Sequence, residues 1–569
     1  MKRLTFGNPE KFVPSVFCRG FRYEETDISY PVDEIRFKTT ARGCDLRLPL
    51  AADEQIYGMG LQLKAFNMRG KKMTLRVNAD PESPTGDSHA PVPFFVSTAG
   101  YGVYVDTARY AEFYFGSSDL LTAEDAGAQE KKQIAVSTDD LYAAKKGGVS
   151  NISIHIPAAK GVEIYIIEGE TITDVVAQYN MLAGGGCSAP DWALSAIYRC
   201  YGRYNQNEVL ETAKRLKQHG YAVGTIGLEP GWQTQTYSCS YVWSPERYPD
   251  PQALIAQLAE MDYHVNLWEH AFVHPTSPIY GEIVPYSGDY SVWNGAVPDL
   301  SLPEAREIFA GHQKKLVDMG VDGFKLDECD SSDYTRCWSF PNHAQFPSGL
   351  DGEQYHSLFG VFYMQTMLQA LDNRPILSEV RNAGALSASY PFVLYSDLYD
   401  HADFIRGCAT AGFSGVLWTP EVRDAKTGEE FVRRLQSNVF SVQCLINAWY
   451  CEEMPWLQHG CAEEVKKLLA VREQIKPMLK KAFDRYEKTG VPPVRALVSD
   501  YTADPETYEI DDEYIFCDDL IVAPITAGSD SREVYLPEGQ WRDYFTKQPV
   551  QAGRFTVQTE SIPVYEKVR

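Results

Sequence analysis

The stretch between residues 193 and 450 constrains the fold most. Eight short apolar runs recur there: ALSAIYRC (193–200), AVGTIGLE (222–229), YHVNLWE (263–269), VDGFKLDE (321–328), PILSEVR (375–381), FVLYSD (392–397), GVLWTP (415–420) and CLINAWY (444–450). Helical stretches separate most of them, among them NQNEVLETAKRLKQHG, PQALIAQLAEM and PEAREIFAGHQKKLVDMG. Strands buried on both faces read as continuous apolar runs, and parallel neighbours need a crossover helix between them. Eight such units predict a closed parallel (β/α)8 barrel. A doubly wound open sheet would carry a glycine-rich phosphate loop after its first strand. The residues that follow the first run, YGRYNQNE, are not such a loop.

The flanks have a different texture. EIRFKTTARGCDLRL, KKMTLRVNAD, PVPFFVSTAGYGVYVDT, EFYFG and ISIHIPAAKGVEIYII alternate with period two between turn signals, which predicts an N-terminal β-sandwich. After residue 486, PPVRALVSDY, EYIFCDDLIVAP, SREVYLPEGQWRDYFT and FTVQTESIPVYE return to that pattern and predict a smaller C-terminal β-sandwich. The chain has 569 residues, and single cores stop growing near roughly 250–300 residues. The expected division is 1–187, 188–485 and 486–569. Connections 270–302 and 329–352 are too long for plain βα loops and follow barrel strands, where site loops sit.

Formal charge excludes two classes of partner. With 53 Lys+Arg against 77 Asp+Glu, net charge is −24, which repels phosphate backbones and anionic lipids, so neither nucleic acid nor membrane is expected. No apolar run reaches the length of a membrane span. MKRLTFGNPEKFVPSVF has no apolar segment after its basic residues, so it does not read as a signal peptide. The 12 Cys show neither CxxC pairs nor zinc spacing and are expected as reduced thiols in the cytoplasm. His270 and His274 are four apart but lead into His-Pro, so no metal site is expected.

Polar residues at the predicted strand ends are mostly carboxylates: Glu229, Glu269, Asp327, Glu328, Asp330, Asp397, Asp400 and Glu421, with Arg381 among them. Acids gathered around one barrel mouth repel one another and cost folding energy, which marks them as functional. Carboxylates working without a metal or a His base point to glycoside hydrolysis, in which one protonates the leaving oxygen and the other attacks or activates water. A metal-assisted enolase-type site is the competing use; Lys325 shares the strand face of Asp327 but lies a layer deeper, poorly placed as its base. Trp232, Trp268 and Trp418 stand near strand ends, where they serve either as sugar-stacking faces or as core.

VDGFKLDECD (321–330) resembles the nucleophile strand of glycoside hydrolase family 31, D-G-F-x-x-D followed by a nearby acid. RNAGALSASYPFVLYSDL (381–398) resembles that family's acid/base segment, and YGMGLQ (57–62), PVPFFVSTAGYGVYVD (91–106), APDWALSAIYRCYGRY (189–204), DDEYIFCDDLIVAPI (511–525) and SREVYLPEGQWRDYFT (531–546) extend the likeness over nearly the whole chain. The resemblance implies Asp327 as nucleophile, Asp397 as general acid/base, Arg381 as a contact of the −1 sugar, and Asp80, in VNADP, as the sandwich's contribution to the site. It implies carboxyl groups roughly 5–5.5 Å apart, net retention, and an Asp397 that is protonated at rest while Asp327 is ionised. No cofactor is implied. The expected activity is exo-acting cleavage of a terminal α-linked sugar from a short oligosaccharide or α-glycoside; a homo-oligomer is left open.

The departures concern sugar reading. Glu229, in GLEPGW, stands where the family commonly has Asp. Ser396 and Leu398 flank Asp397 in place of Gly and Asn, and Ser389 stands for an Arg. Glu421, in TPEVRDA, takes the place of the Asp in the family's Asp-Ile-Gly-Gly-Phe stretch, Asn447 that of a His, and Cys329 follows the nucleophile where α-glucosidases carry another residue. Retained mechanism positions with altered sugar positions favour an α-galactoside, with α-glucoside of the isomaltooligosaccharide type next and α-xyloside after it. A non-catalytic sugar-binding chain and a transglycosylase are the alternatives.

Overall fold

The computed structural model describes residues 1–118, 150–332, 338–397, 400–423 and 425–568. Its centre is a ring of parallel strands: β1 (Ala196–Arg199), β2 (Val223–Leu228), β3 (His264–His270), β4 (Gly323–Asp327), β5 (Ser378–Val380), β6 (Phe392–Leu394) and β7 (Cys444–Asn447), in the order β6-β5-β4-β3-β2-β1-β7. Every pair in this order is parallel. The run at 415–420 is not a regular strand, yet it fills the remaining gap. Leu394 N donates to Leu417 O at 2.8 Å and Thr419 N to Leu394 O at 3.0 Å, while Val422 N donates to Leu445 O at 2.9 Å and Asn447 N to Val422 O at 2.7 Å. Pro420 explains the irregularity: it has no N–H for a ladder and fixes its own φ. The (β/α)8 barrel is thus closed by an eighth, imperfect stave.

Local sequence sets the helices around it. The helix Gln206–His219 starts in a capping box, with the Asn205 side chain accepting from Glu208 N and the Glu208 side chain accepting from Asn205 N, and it ends at Gly220 with φ 72°. Both devices satisfy backbone groups that a helix end leaves orphaned. Its Val209, Leu210, Ala213 and Leu216 face the barrel core. The long connection 270–302 folds into a short hairpin, Ser287–Val292 with Gly295–Pro298.

The N-terminal sandwich stacks two antiparallel sheets. One contains Lys2–Asn8, Lys160–Glu168, Tyr101–Asp106, Pro91–Ser97 and Ile56–Gly60; the other contains Arg36–Thr39, Gly43–Pro49, Ser150–Pro157, Glu112–Ser118 and Lys72–Thr74. Leu46, Leu48, Phe95, Val103, Ile154 and Ile164 fill the space between them. The opposite face of the first sheet packs outward: Phe94 stacks on Tyr179 at 4.0 Å, and Tyr57 on Phe413 at 5.1 Å. Sandwich and barrel therefore share one apolar core, which brings a sandwich loop to the barrel mouth. After the helix Ala462–Thr489 comes the C-terminal β domain, a six-stranded sheet plus a two-stranded antiparallel sheet of Ser531–Leu536 with Gly553–Gln558, around its own core of Ile515, Ile521, Val534, Trp541 and Tyr565. Among the described residues no helix is long and apolar enough to cross a membrane, and the cysteines are free.

Candidate active site

Side chains on one face of a strand recur every second residue, and on β4 that rule stacks Lys325 beneath Asp327. Inside the barrel, Ile197, Tyr395 and Leu445 make a small apolar floor. A layer of buried charge lies over it. Arg199 of β1 pairs with Glu229 through Nε, donates to Asn266 Oδ1 at 2.8 Å and lies 3.5 Å from Glu379 Oε2. Lys325 Nζ lies 3.5 Å from Glu229 Oε1 and 4.7 Å from the centre of the Tyr395 ring. Buried charges persist when paired and hydrogen-bonded, and Arg199, Glu229 and Glu379 meet that condition. Burial raises the Glu379 carboxyl to about 7 against the pull of Arg199 and Lys325. At Glu229 burial also raises the pKa, but the same two cations outweigh it and hold the group below its ordinary value.

The mouth lies above this layer. Asp327 accepts from Trp268 Nε1 at 2.6 Å and from the Glu328 backbone N–H at 2.9 Å. Glu328 sits in the left-handed region at φ 57°, a conformation costly for a side-chain-bearing residue; the turn lays its own N–H on the Asp327 carboxylate. Arg381 Nη1 lies 3.5 Å from Asp327 Oδ1 and also pairs with Asp397 Oδ2. The nearest oxygens of the two carboxyl groups, sharing one nitrogen in this way, lie within roughly 6 Å of each other, so one guanidinium holds the two groups close together.

Arg381 is itself anchored. Its Nε and Nη2 lie 3.0 Å from Asp330 Oδ2, Asp330 meets His89 Nδ1 at 2.7 Å, and His89 Nε2 meets Ser396 Oγ at 2.7 Å. His89 comes from the sandwich, so the two domains meet behind the mouth. On the opposite side Arg423 Nη1 donates to Asp397 Oδ1 at 2.8 Å, and Arg423 Nε lies 3.4 Å from Glu421 Oε1.

The electrostatics follow from these contacts. Burial lifts the Asp327 carboxyl above its usual range, opposed by Arg381, Lys325 and the Trp268 hydrogen bond. Partial desolvation also lifts Asp397, but Arg381, Lys325 and Arg423 together overcome it and hold Asp397 well below the carboxylate range. Burial pushes Glu421 up to about 7, against Arg423 and Lys325. The resting proton expected on Asp397 is therefore not favoured in the ligand-free cluster: both of its oxygens accept from guanidinium groups.

Comparison with known proteins shows the family. The profile of the glycosyl hydrolases family 31 TIM-barrel domain matches residues 187–482, the family 31 C-terminal domain matches 490–568, and the family 31 N-terminal galactose mutarotase-like domain matches 19–113. The chain belongs to glycoside hydrolase family 31. Relatives within the family include an alpha-xylosidase of Emericella nidulans, 21% identical over 556 residues that cover 91% of this chain and 66% of the relative. An alpha-glucosidase of Saccharolobus solfataricus is 23% identical over 598 residues, covering 94% and 81%. The Flavobacterium johnsoniae family 31 dextranase complexed with glucose superposes with a TM-score of 0.80 at 20% identity, covering 93% of this chain and 67% of the dextranase. The chain thus spans about two thirds of the length of the Emericella relative.

The residues singled out from the sequence of this family 31 chain part into groups. Asp327, Asp397, Arg381, Glu229 and Glu421 converge on the mouth or on the charge layer just beneath it. Trp268 is at the mouth too, but it is 1% exposed and serves as a hydrogen-bond donor to Asp327 instead of offering a ring face. Trp232, Trp418 and Cys329 are corrections. Trp232 is wholly buried, donates to Trp268 O at 2.7 Å and packs on Trp243. Trp418 points outward to the helix His401–Thr410, where it donates to Phe404 O at 3.1 Å and packs on Gly407. Cys329 is buried with Sγ 3.9 Å from Leu326 O. Asp80 stays on an exposed turn, lining a hollow with Lys72, Arg76 and Glu82, and its backbone N–H is taken by Asn78. Leu398 lies outside the described residues.

Three contributors escaped the sequence reading. His89 is separated from Asp330 by 241 residues, and no local pattern announces it. Arg423 stands two residues after Glu421, so strand alternation alone was the available signal. Tyr237 is 47% exposed, with its ring 5.5 Å from Trp268 and 4.9 Å from Trp293, and it comes from a loop without regular periodicity. Among the described residues no group of His, Cys, Asp and Glu is arranged to hold a metal ion.

Proposed function

We propose that this chain is a retaining, exo-acting α-glycosidase that removes a terminal α-linked sugar from a short oligosaccharide or α-glycoside. One observation carries the reading: Asp327 and Asp397 both lie against the same nitrogen of Arg381, which keeps the two carboxyl groups close together, as double displacement requires. In the first step an Asp327 oxygen bonds to the anomeric carbon as the bond to the leaving oxygen breaks, and Asp397 delivers a proton to that oxygen. In the second step Asp397 takes a proton from water, whose oxygen bonds to the anomeric carbon and displaces Asp327. Two inversions return the starting configuration.

For the −1 sugar, α-galactoside rests on the altered positions Glu229, Glu421 and Asn447. Glu229 is consumed by Arg199 and Lys325, so this position reads hydroxyls differently from a free carboxylate. α-Glucoside and α-xyloside form the second reading, favoured by the alpha-glucosidase and alpha-xylosidase among the relatives. A panel of 4-nitrophenyl α-glycosides assayed with purified protein decides among them. Asp327→Ala is expected to abolish turnover. Asp397→Ala is expected to lose most turnover and to recover it with azide, which replaces water in the second inversion and returns an α-glycosyl azide. Wild-type rates in Asp327→Ala would overturn the assignment, and binding without turnover by the unmutated chain would leave only a sugar-binding protein.

A further inference from the structure

Asp397 is held from two sides, and only one of the two grips belongs to the proposed double displacement. Arg381 spans both reacting carboxylates. Arg423 touches Asp397 without meeting Asp327 in any described contact. Its Nη1 lies 2.8 Å from Asp397 Oδ1 and 3.3 Å from the Asp397 backbone oxygen, so one nitrogen binds side chain and main chain of the same residue and fixes the orientation of the carboxyl group. Arg423 is anchored in turn: its side chain is 8% exposed, Nη2 donates to Tyr450 OH at 3.0 Å, and its guanidinium lies 5.2 Å from the centre of the Tyr450 ring. Beside it stands Glu421, 1% exposed, whose Oε1 accepts no hydrogen bond from the described residues.

We propose that Arg423 is a positioning residue for Asp397, presenting its carboxylate as a base toward incoming water and releasing Oδ1 when the leaving group needs a proton. This rests on Asp397 being the acid/base of the proposed reaction. Asp397 is 47% exposed, so the proton for the first step arrives from solvent onto Oδ1 as the Arg423 Nη1 hydrogen bond to that oxygen breaks. The proton then passes to the leaving oxygen, and the carboxylate returns to Arg423, ready to deprotonate water. While Oδ1 is away, Arg423 keeps Tyr450 and the backbone oxygen of Asp397, with Glu421 as its counter-charge.

Among the described residues, groups that act electrostatically on Asp397 come from five staves. They are Glu229 after β2, Lys325 and Asp327 on β4 with Glu328 following, Arg381 after β5, Tyr395 after β6, and Glu421 and Arg423 in the irregular stave. Arg423 is the cation among them whose described contacts reach Asp397 and not Asp327, so removing it should act mainly on the acid/base. An opposite charge at this range favours the ionised carboxylate by about 1–3 pKa units. Without Arg423 the basic limb of kcat/KM, which reports the proton on the acid, should move to higher pH.

The test compares Arg423→Gln and Arg423→Lys across pH on a methyl α-glycoside, whose leaving oxygen needs a proton, and on a 4-nitrophenyl α-glycoside, whose leaving group departs without one. For Arg423→Gln the basic limb on the methyl glycoside is expected to rise by at least about one pH unit, with a smaller effect on the aryl glycoside; Arg423→Lys is expected to restore the original limb. An activity loss that is uniform across pH, or a Lys variant that behaves as Gln does, would overturn the proposal. Should Arg423→Gln not fold, Tyr450→Phe replaces it: that residue is 51% exposed, and loss of its anchoring hydroxyl is expected to shift the limb in the same direction by less, an unmoved limb counting against the proposal. Asp397→Ala separates the two levels. If its defect is the same for both leaving groups, the acid/base reading itself fails; if the defect is larger for the methyl glycoside while the Arg423→Gln limb stays put, only the role of Arg423 fails.

Discussion

The bond from Trp268 to Asp327 permits a quantitative test. Trp268→Phe keeps an aromatic ring in the same place and deletes one donor, the indole N–H 2.6 Å from Asp327 Oδ2. Hydrogen bonds to a charged partner contribute about 1.5–3 kcal/mol, and one pKa unit corresponds to about 1.4 kcal/mol. The Asp327 carboxyl, already raised by burial, should therefore rise by a further one to two units or so. As the proposed nucleophile, Asp327 must be ionised, so the acid limb of kcat/KM moves to higher pH by that amount, while activity on the alkaline side of the limb falls much less. The limb belongs to the coupled cluster and not to one residue, but a change in one member still displaces it. The smaller ring also leaves a void at a site that is 1% exposed, at a cost of order 1–3 kcal/mol in stability. Thermal unfolding reads that cost separately, and it cannot displace a pH limb. A variant that is merely less stable, with its acid limb where the wild type has it, would refute the reasoning.

Two further outcomes follow from groups away from the proposed reacting pair. Burial raises Glu269 to about 8, with Tyr363 OH at 2.9 Å its hydrogen-bond partner; because the folded state holds this proton more tightly than the unfolded chain, its contribution to stability is complete below about pH 4.5 and is lost as pH rises through about 8, at up to about 1.4 kcal/mol per pH unit. Glu269→Gln should flatten the fall in melting temperature between pH 5 and pH 8, and an unchanged slope would show that Glu269 does not titrate there. Tyr237, the exposed aromatic beside Trp268, should act as a sugar-stacking face, so Tyr237→Ala is expected to raise KM several-fold with kcat nearly intact; a loss confined to kcat would place it elsewhere in the reaction.

How much was legible in the sequence differs between fold and site. Continuous apolar runs such as AVGTIGLE and VDGFKLDE identify buried parallel strands because such strands are covered on both faces. The same reading over-regularised GVLWTP: Pro420 was in plain view, but its power to break a ladder while leaving enough flanking bonds to close the ring is visible only once β6 and β7 are in place. At the site, two-residue alternation put Lys325 under Asp327 correctly. It did not tell a strand-end tryptophan that faces the mouth from one that faces the helices, because that depends on which side of the ring the backbone enters. Trp418 went outward and Trp268 went to the carboxylate.

The order of apolar runs, the acids at their ends and the spacing from Arg381 to Asp397 are local properties, and local properties are what a linear string carries. The partners of those acids are not local. His89 reaches Asp330 through the packing of a sandwich on a barrel, and Arg423 reaches Asp397 across the junction of two staves. Charge–charge interaction depends on distance in space and on the burial around it, so the protonation of the pair was decided by the assembled tertiary structure, where two guanidinium groups meet one carboxylate.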